Sequence, residues 1–132
     1  MAREEQCRHF FGDTEKGIGF SQTVKADNTL YVSGVLAVDD TLEIASPGNM
    51  DAQITQAYAL INDILAESDA SLKDVVKETI FATDLAALGG AFEHRKAAYA
   101  GAGAYVPACT MVQVSGLFLP GAMVEIELVA HL

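Results

Sequence analysis

Basic residues are scarce in this chain. Of 132 residues, 8 are Lys or Arg against 18 Asp or Glu, for a net charge of −10. Phosphate backbones are gripped mainly by Lys and Arg clusters, and the sequence has none. The acidity favours solubility and argues against nucleic-acid and anionic-membrane partners. Cysteine is scarce too. Cys7 and Cys109 are the two present, too few for a disulfide framework and without metal-ligand spacing. Reduced thiols in a cytoplasmic protein are the expectation. No apolar run approaches the roughly 20 residues of a membrane span. The opening Met1–Gln6 has no apolar segment of a signal peptide. His9, His94 and His131 are too scattered for a metal site. Linkers, repeats and low-complexity segments are lacking.

What the chain does have is apolar content, 51% of its residues. That is rich for a small monomer, so some apolar surface is expected to meet another subunit. The length suits one domain with a real core, read here as residues 1–132.

Patterning along the chain gives the elements. Phe10-Phe11 marks a possible short edge strand in an otherwise polar opening. The runs 20–25 and 29–33 flank Asp27-Asn28, a turn signal, and predict a hairpin whose second strand ends at Gly34. Residues 46–49, Ser-Pro-Gly-Asn, read as a loop. Ile54, Ala57, Tyr58, Ile61, Ile64 and Leu65 recur at helical spacing and predict a core-facing helix over 51–68, capped by Asn49 or Asp51. Residues 75–83 are β-branched and aromatic enough for a strand. A second helix is expected over 85–100, weakened by Gly89-Gly90. In 123–131, Val124, Ile126, Leu128 and Ala130 alternate with Glu125, Glu127, Val129 and His131, a strand with one dry face. Cys109, Met111, Gln113 and Ser115 share a face of the preceding strand. The order ββ-α-β-α-ββ predicts one α+β domain, a mixed sheet packed against two helices.

Several motifs resemble those of the Rid (YjgF/YER057c/UK114) family. Gly19-Phe20-Ser21-Gln22 is similar to its Pro-Tyr-Ser-Gln, and Tyr31-Val32-Ser33-Gly34 to its Val-Ser-Gly. Val75-Val76-Lys77 and Thr83-Asp84-Leu85 are similar to its central strand and exit. Pro107-Ala108 and Val124-Glu125-Ile126-Glu127 are similar to its closing strands. The resemblance runs from about Ile18 to the C-terminus. It implies a chorismate-mutase-like (YjgF) fold and a homotrimer with small-molecule clefts between subunits. It also implies hydrolysis of enamines and imines such as 2-aminoacrylate. The positions implied to line the cleft are Phe20, Ser33, Gly34, Phe92, Cys109, Met111 and Glu125. Departures cluster there. Cys109 replaces an arginine that holds a substrate carboxylate, Met111 stands for a cysteine, Phe92 for an asparagine and Arg95 for a tyrosine. Standard 2-aminoacrylate deamination is therefore not expected.

The chemistry of these residues leaves alternatives open. Glu125 is the acid/base candidate, because a partly buried carboxyl beside Glu127 has its pKa raised. On pattern alone both glutamates are solvated strand residues. A thiol cannot replace a bidentate guanidinium. Cys109 is thus a shaper of a neutral pocket, a nucleophile, or a small buried hydrophobe. Lys16, Arg95 and Lys96 are the cations that could bind an anion instead, and surface solvation is the expectation for all three. Ser33-Gly34 offers a hydroxyl and a backbone N–H to a ligand, or Gly34 only ends a strand. The reading is a small-molecule-binding trimer without metal or organic cofactor. It is a hydrolase or deaminase on a C–N compound, with a non-catalytic sensor on the same scaffold as the alternative.

Overall fold

The structure is a computed structural model that describes residues 3–132. Its centre is a six-stranded mixed sheet in the order β1-β2-β3-β6-β4-β5. The strands are β1 (Cys7–Arg8), β2 (Thr23–Ala26), β3 (Thr29–Leu36), β4 (Val75–Ala82), β5 (Ala108–Gln113) and β6 (Val124–His131). All neighbours pair antiparallel except β4 and β5, which are parallel. A parallel pair needs a crossover. Here the crossover carries α3 (Leu85–Gly90) and α4 (Phe92–Gly101). With α2 (Met50–Ala66) they cover one face of the sheet.

The expected helix stripe is the core. Ile54, Ala57, Tyr58, Ile61, Ile64 and Leu65 are all buried, against Val124, Ile126, Leu128 and Ala130 of β6. Asn49 caps α2 by accepting from the Ala52 N–H, a contact worth about 1 kcal/mol. Buried Gln53 ties the preceding loop to the last turn. It donates to the Ser46 and Gly121 carbonyls and accepts from the Met123 N–H.

Four local expectations are corrected. The edge strand is Cys7–Arg8, not Phe10-Phe11. A short helix α1 (Asp13–Ile18) follows it, ended by Gly19 in the left-handed conformation. The helix read over 85–100 is two helices that break at Ala91, just after Gly89-Gly90. Two adjacent glycines lower helix propensity enough for the chain to turn there. Gly34 does not end β3. It lies inside the strand, in a β-bulge where the register with β6 jumps from Val32 to Val35.

Among the described residues, α2, α3 and α4 leave the other face of the sheet uncovered. Tyr31 is half exposed on it, and a shallow depression there is lined by Tyr31, Ser33, Lys77, Thr79, Glu127 and Val129. Among the described residues no helix is long and apolar enough to cross a membrane.

Candidate functional site

The β3 bulge builds the site. Because the register skips Ser33 and Gly34, the strand bends and re-aims its neighbours, as bulges do. Glu125 lies on β6 beside Leu36 and Phe81. Its carboxyl fills the space that a side chain at position 34 would need. A Cβ there would collide with Oε1 and stand 2.7 Å from Cδ. Glycine at 34 thus makes room for the carboxyl in this position by close approach rather than by backbone angle.

Ser33 is fixed on both sides. Its Oγ donates to the Ser21 carbonyl at 2.7 Å, and its backbone exchanges hydrogen bonds with Gln22. The hydroxyl proton is committed, and the oxygen is left as an acceptor. Gln22 is also held by Glu15. The Glu15 carboxylate accepts from the Gln22 and Phe11 N–H groups at 2.9 and 2.7 Å and is 1% exposed. Glu15 therefore fastens α1 to the sheet. Sequence reasoning missed it, because one more acid in a polar segment carries no signal.

Together these elements form one side of an open pocket of about 530 Å³. Gly34, Ser33 and Glu125 form its polar side, and Phe11, Ile18, Phe20, Leu42, Phe118 and Leu119 are among its apolar walls. Half-buried Glu125 has its pKa raised, first by burial and then by the Glu127 charge. No hydrogen bond from a described protein group offsets these effects. A carboxyl whose neutral form is favoured by its surroundings and that no described side chain pairs is available to a ligand.

Of the seven expected positions, Phe20, Ser33, Gly34 and Glu125 meet in this pocket. Phe92, Cys109 and Met111 do not line it. Phe92 starts α4 and is exposed. Cys109 and Met111 sit half-buried on edge strand β5 and pack against the core.

Around Cys109 lies a second polar centre, absent from the sequence expectations. Glu78 is its register partner on β4 and is fully buried. Arg95 of α4 donates to Glu78 Oε1 through Nε and Nη2. Tyr58 and Tyr99 donate to Oε2 at 2.9 and 2.7 Å. The Arg95 guanidinium also lies 5.4 Å from the centre of the Tyr99 ring. Arg95 is 9% exposed, so surface solvation is overturned for it. The cause is Glu78: a fully buried carboxylate requires a counter-charge. Lys16 is exposed, and exposed Lys96 pairs with Glu93 on its own helix. Tyr58, read as plain core, buries its ring and spends its hydroxyl on Glu78. Both tyrosine pKa values are pushed far up by burial and then by the Glu78 charge, so both remain donors. Burial, followed by the Glu78 charge, pushes the Cys109 thiol up as well. A nucleophile needs the opposite shift. Cys109 accordingly stands as a protonated, half-buried thiol.

Three comparisons fix the lineage. Residues 15–132 match the family model described as Endoribonuclease L-PSP. The 3-aminoacrylate deaminase RutC of Acinetobacter baylyi is 39% identical over 115 residues, 81% of this chain and 82% of that protein. The mouse 2-iminobutanoate/2-iminopropanoate deaminase is 32% identical, over 84% of this chain and 79% of that one. Among solved structures, a YjgF/YER057c/UK114 member from Mycobacterium tuberculosis superposes with a TM-score of 0.78 at 27% identity, over 96% of this chain and 98% of that one. With the mixed sheet and its helices, these matches establish that the chain belongs to the Rid (YjgF/YER057c/UK114) family.

Proposed function

We propose that this protein hydrolyses an enamine or imine in the Glu125 pocket, releasing a carbonyl compound and ammonia. The observation that carries the reading is the Glu125 carboxyl. It is half-buried, raised in pKa and without a protein hydrogen-bond donor, and it faces a pocket large enough for a small metabolite. In its acid form it protonates an enamine at the β-carbon, or an imine at nitrogen, to give an iminium. The resulting carboxylate then takes a proton from water as the water oxygen bonds to the iminium carbon. That proton passes to nitrogen, the C–N bond breaks and ammonia leaves, and as the C=O bond forms the hydroxyl proton goes to the Glu125 carboxylate, which restores its acid form. A carboxyl with its pKa moved toward neutrality serves both steps. The deaminase names of two relatives support the reaction class.

By family resemblance, we infer that such pockets lie between the subunits of a homotrimer. Phe92, Cys109 and Met111 of a neighbouring chain would then complete the cleft, with the uncovered sheet face as the contact surface. The high apolar content supports this assembly, and light scattering should give the mass of three chains. The endoribonuclease label of the family model is set against a net charge of −10, which disfavours a phosphate-backbone substrate.

One observation favours a non-catalytic sensor instead. Glu15 is the pocket's other carboxylate, and both its oxygens already serve Phe11 and Gln22. Glu125 would therefore act alone. Ammonia release from imines generated in situ by an amine oxidase decides between the two. Turnover abolished by Glu125→Gln supports the hydrolase, and binding without turnover supports the sensor.

A further inference from the structure

We propose that the ligand of the Glu125 pocket is an apolar amine, imine or ketone without a carboxylate, bound by its hydrocarbon body and by one polar head at Glu125 and Ser33. This rests on the assignment of that pocket as the functional site and adds the ligand's chemical class.

Charge is the first argument. No Lys, Arg or His is among the residues lining the pocket, whereas Glu15 and Glu125 are. A carboxylate ligand would meet a like charge with no guanidinium to hold it, and such juxtapositions are costly. The positions that a neighbouring subunit is inferred to add, Phe92, Cys109 and Met111, contribute no cation either. Arg95 lies near Cys109, but Nε and Nη2 are spent on Glu78. Its charge is matched there rather than offered to a ligand.

Apolar surface is the second argument. Phe11, Leu36, Val38 and Leu42 wall the pocket, while Ile18, Phe20 and Phe118 stand 57%, 36% and 74% exposed at its edge. A volume of about 530 Å³ falls in the range of pockets that hold drug-sized ligands. Of the wall this chain alone supplies, a three-carbon imino acid would leave most uncovered. An aromatic or branched aliphatic body would cover it.

The polar head follows from the floor. Glu125 accepts a hydrogen bond from an amine or iminium and, when protonated, donates one to a ketone oxygen. Ser33 Oγ retains acceptor capacity, since its proton goes to Ser21. A protonated amine or iminium satisfies both groups.

Calorimetry with three phenyl compounds tests this on the purified protein. The probes are 1-phenylethylamine, acetophenone and phenylpyruvate, which share a ring and differ in the head. The first two should bind at least about tenfold more tightly than phenylpyruvate, the ratio set by about 1.4 kcal/mol. Glu125→Gln should weaken the amine and narrow the gap. Phe118→Arg, at an exposed position where folding is not at stake, should weaken acetophenone and strengthen phenylpyruvate. Phenylpyruvate binding as tightly as acetophenone would overturn the inference, as would no measurable binding of the two carboxylate-free probes. Ammonia release from the imines of 1-phenylethylamine and of alanine separates this result from the reaction itself. Probe binding with no turnover of either imine keeps the ligand class and removes the hydrolase. Turnover of 2-iminopropanoate without phenyl preference keeps the hydrolase and removes the ligand class.

Discussion

The Glu125 carboxyl occupies the volume that a Cβ on Gly34 would fill. The two residues thereby share one volume at the point where β3 bulges. Gly34→Ala should force the carboxyl out of its position or push β3 from β6. Overpacking of this kind costs typically about 1–3 kcal/mol. Ligand affinity and any turnover should fall together, because the displaced group is the one facing the ligand. Chemical denaturation and a binding isotherm on the same variant check this. A Gly34→Ala protein with unchanged stability and affinity would show that Glu125 swings away freely.

Much of this fold was legible in the sequence. The β6 alternation and the α2 stripe each follow one period over many residues, and both faces are buried as the pattern requires. The bulge at Ser33-Gly34 was not legible. It is decided by which β6 residue opposes which β3 residue, and that register is tertiary. The four expected positions that line the pocket, Phe20, Ser33, Gly34 and Glu125, are legible through family motifs rather than spacing, since Gly34 and Glu125 lie on strands distant in sequence. The Glu78–Arg95 centre was invisible for another reason. Charged residues are rarely buried without partners, and this pairing exists only because α4 crosses over β4. Arg95 therefore read as a surface cation.

That centre predicts a strong asymmetry between single and double variants. Arg95→Leu leaves the fully buried Glu78 without its counter-charge and should destabilise the protein by about 3–5 kcal/mol. Glu78→Gln in the same chain should recover a large part of this. A neutral amide oxygen still accepts from Tyr58 and Tyr99, and no bare charge remains. Urea melts of the four proteins in a double-mutant cycle measure the coupling. Additive losses would mean that the pair contributes nothing as a pair.

The same centre alters what an arginine at position 109 would do. Its register partner is Glu78, already held by Arg95. A guanidinium introduced there would compete with Arg95 for that carboxylate and crowd a half-buried site. Cys109→Arg should lower stability by about 1–3 kcal/mol, and it should not by itself confer deamination of 2-aminoacrylate. Thermal melts and ammonia release with a β-elimination system as the imine source check both parts. Full activity with unchanged stability would show that the new side chain clears Glu78 and reaches the cleft.

The pH dependence of Glu125 links stability to activity with opposite signs. Burial and then Glu127 raise its folded-state pKa, so the folded protein binds more protons than the unfolded chain over the shifted range. By linkage, stability then falls as pH rises from the unfolded value, about 4.3, through the raised folded value. Glu125→Gln removes a group that resists ionisation in place. The variant should match the parent in stability at acidic pH and exceed it at neutral pH. Turnover should move the other way, abolished in Glu125→Gln and only modestly lowered in Glu127→Gln. Glu127 is exposed and acts on the reaction only through its charge. Removing that charge should shift the alkaline limb of the rate profile, where the acid form of Glu125 is lost, to lower pH, because one cause of the raised Glu125 pKa is gone. Melting curves across pH for the parent and Glu125→Gln, with rate profiles for the parent and Glu127→Gln, read out both effects. A Glu125→Gln protein that is less stable at neutral pH and equally active would make Glu125 an ordinary strand residue.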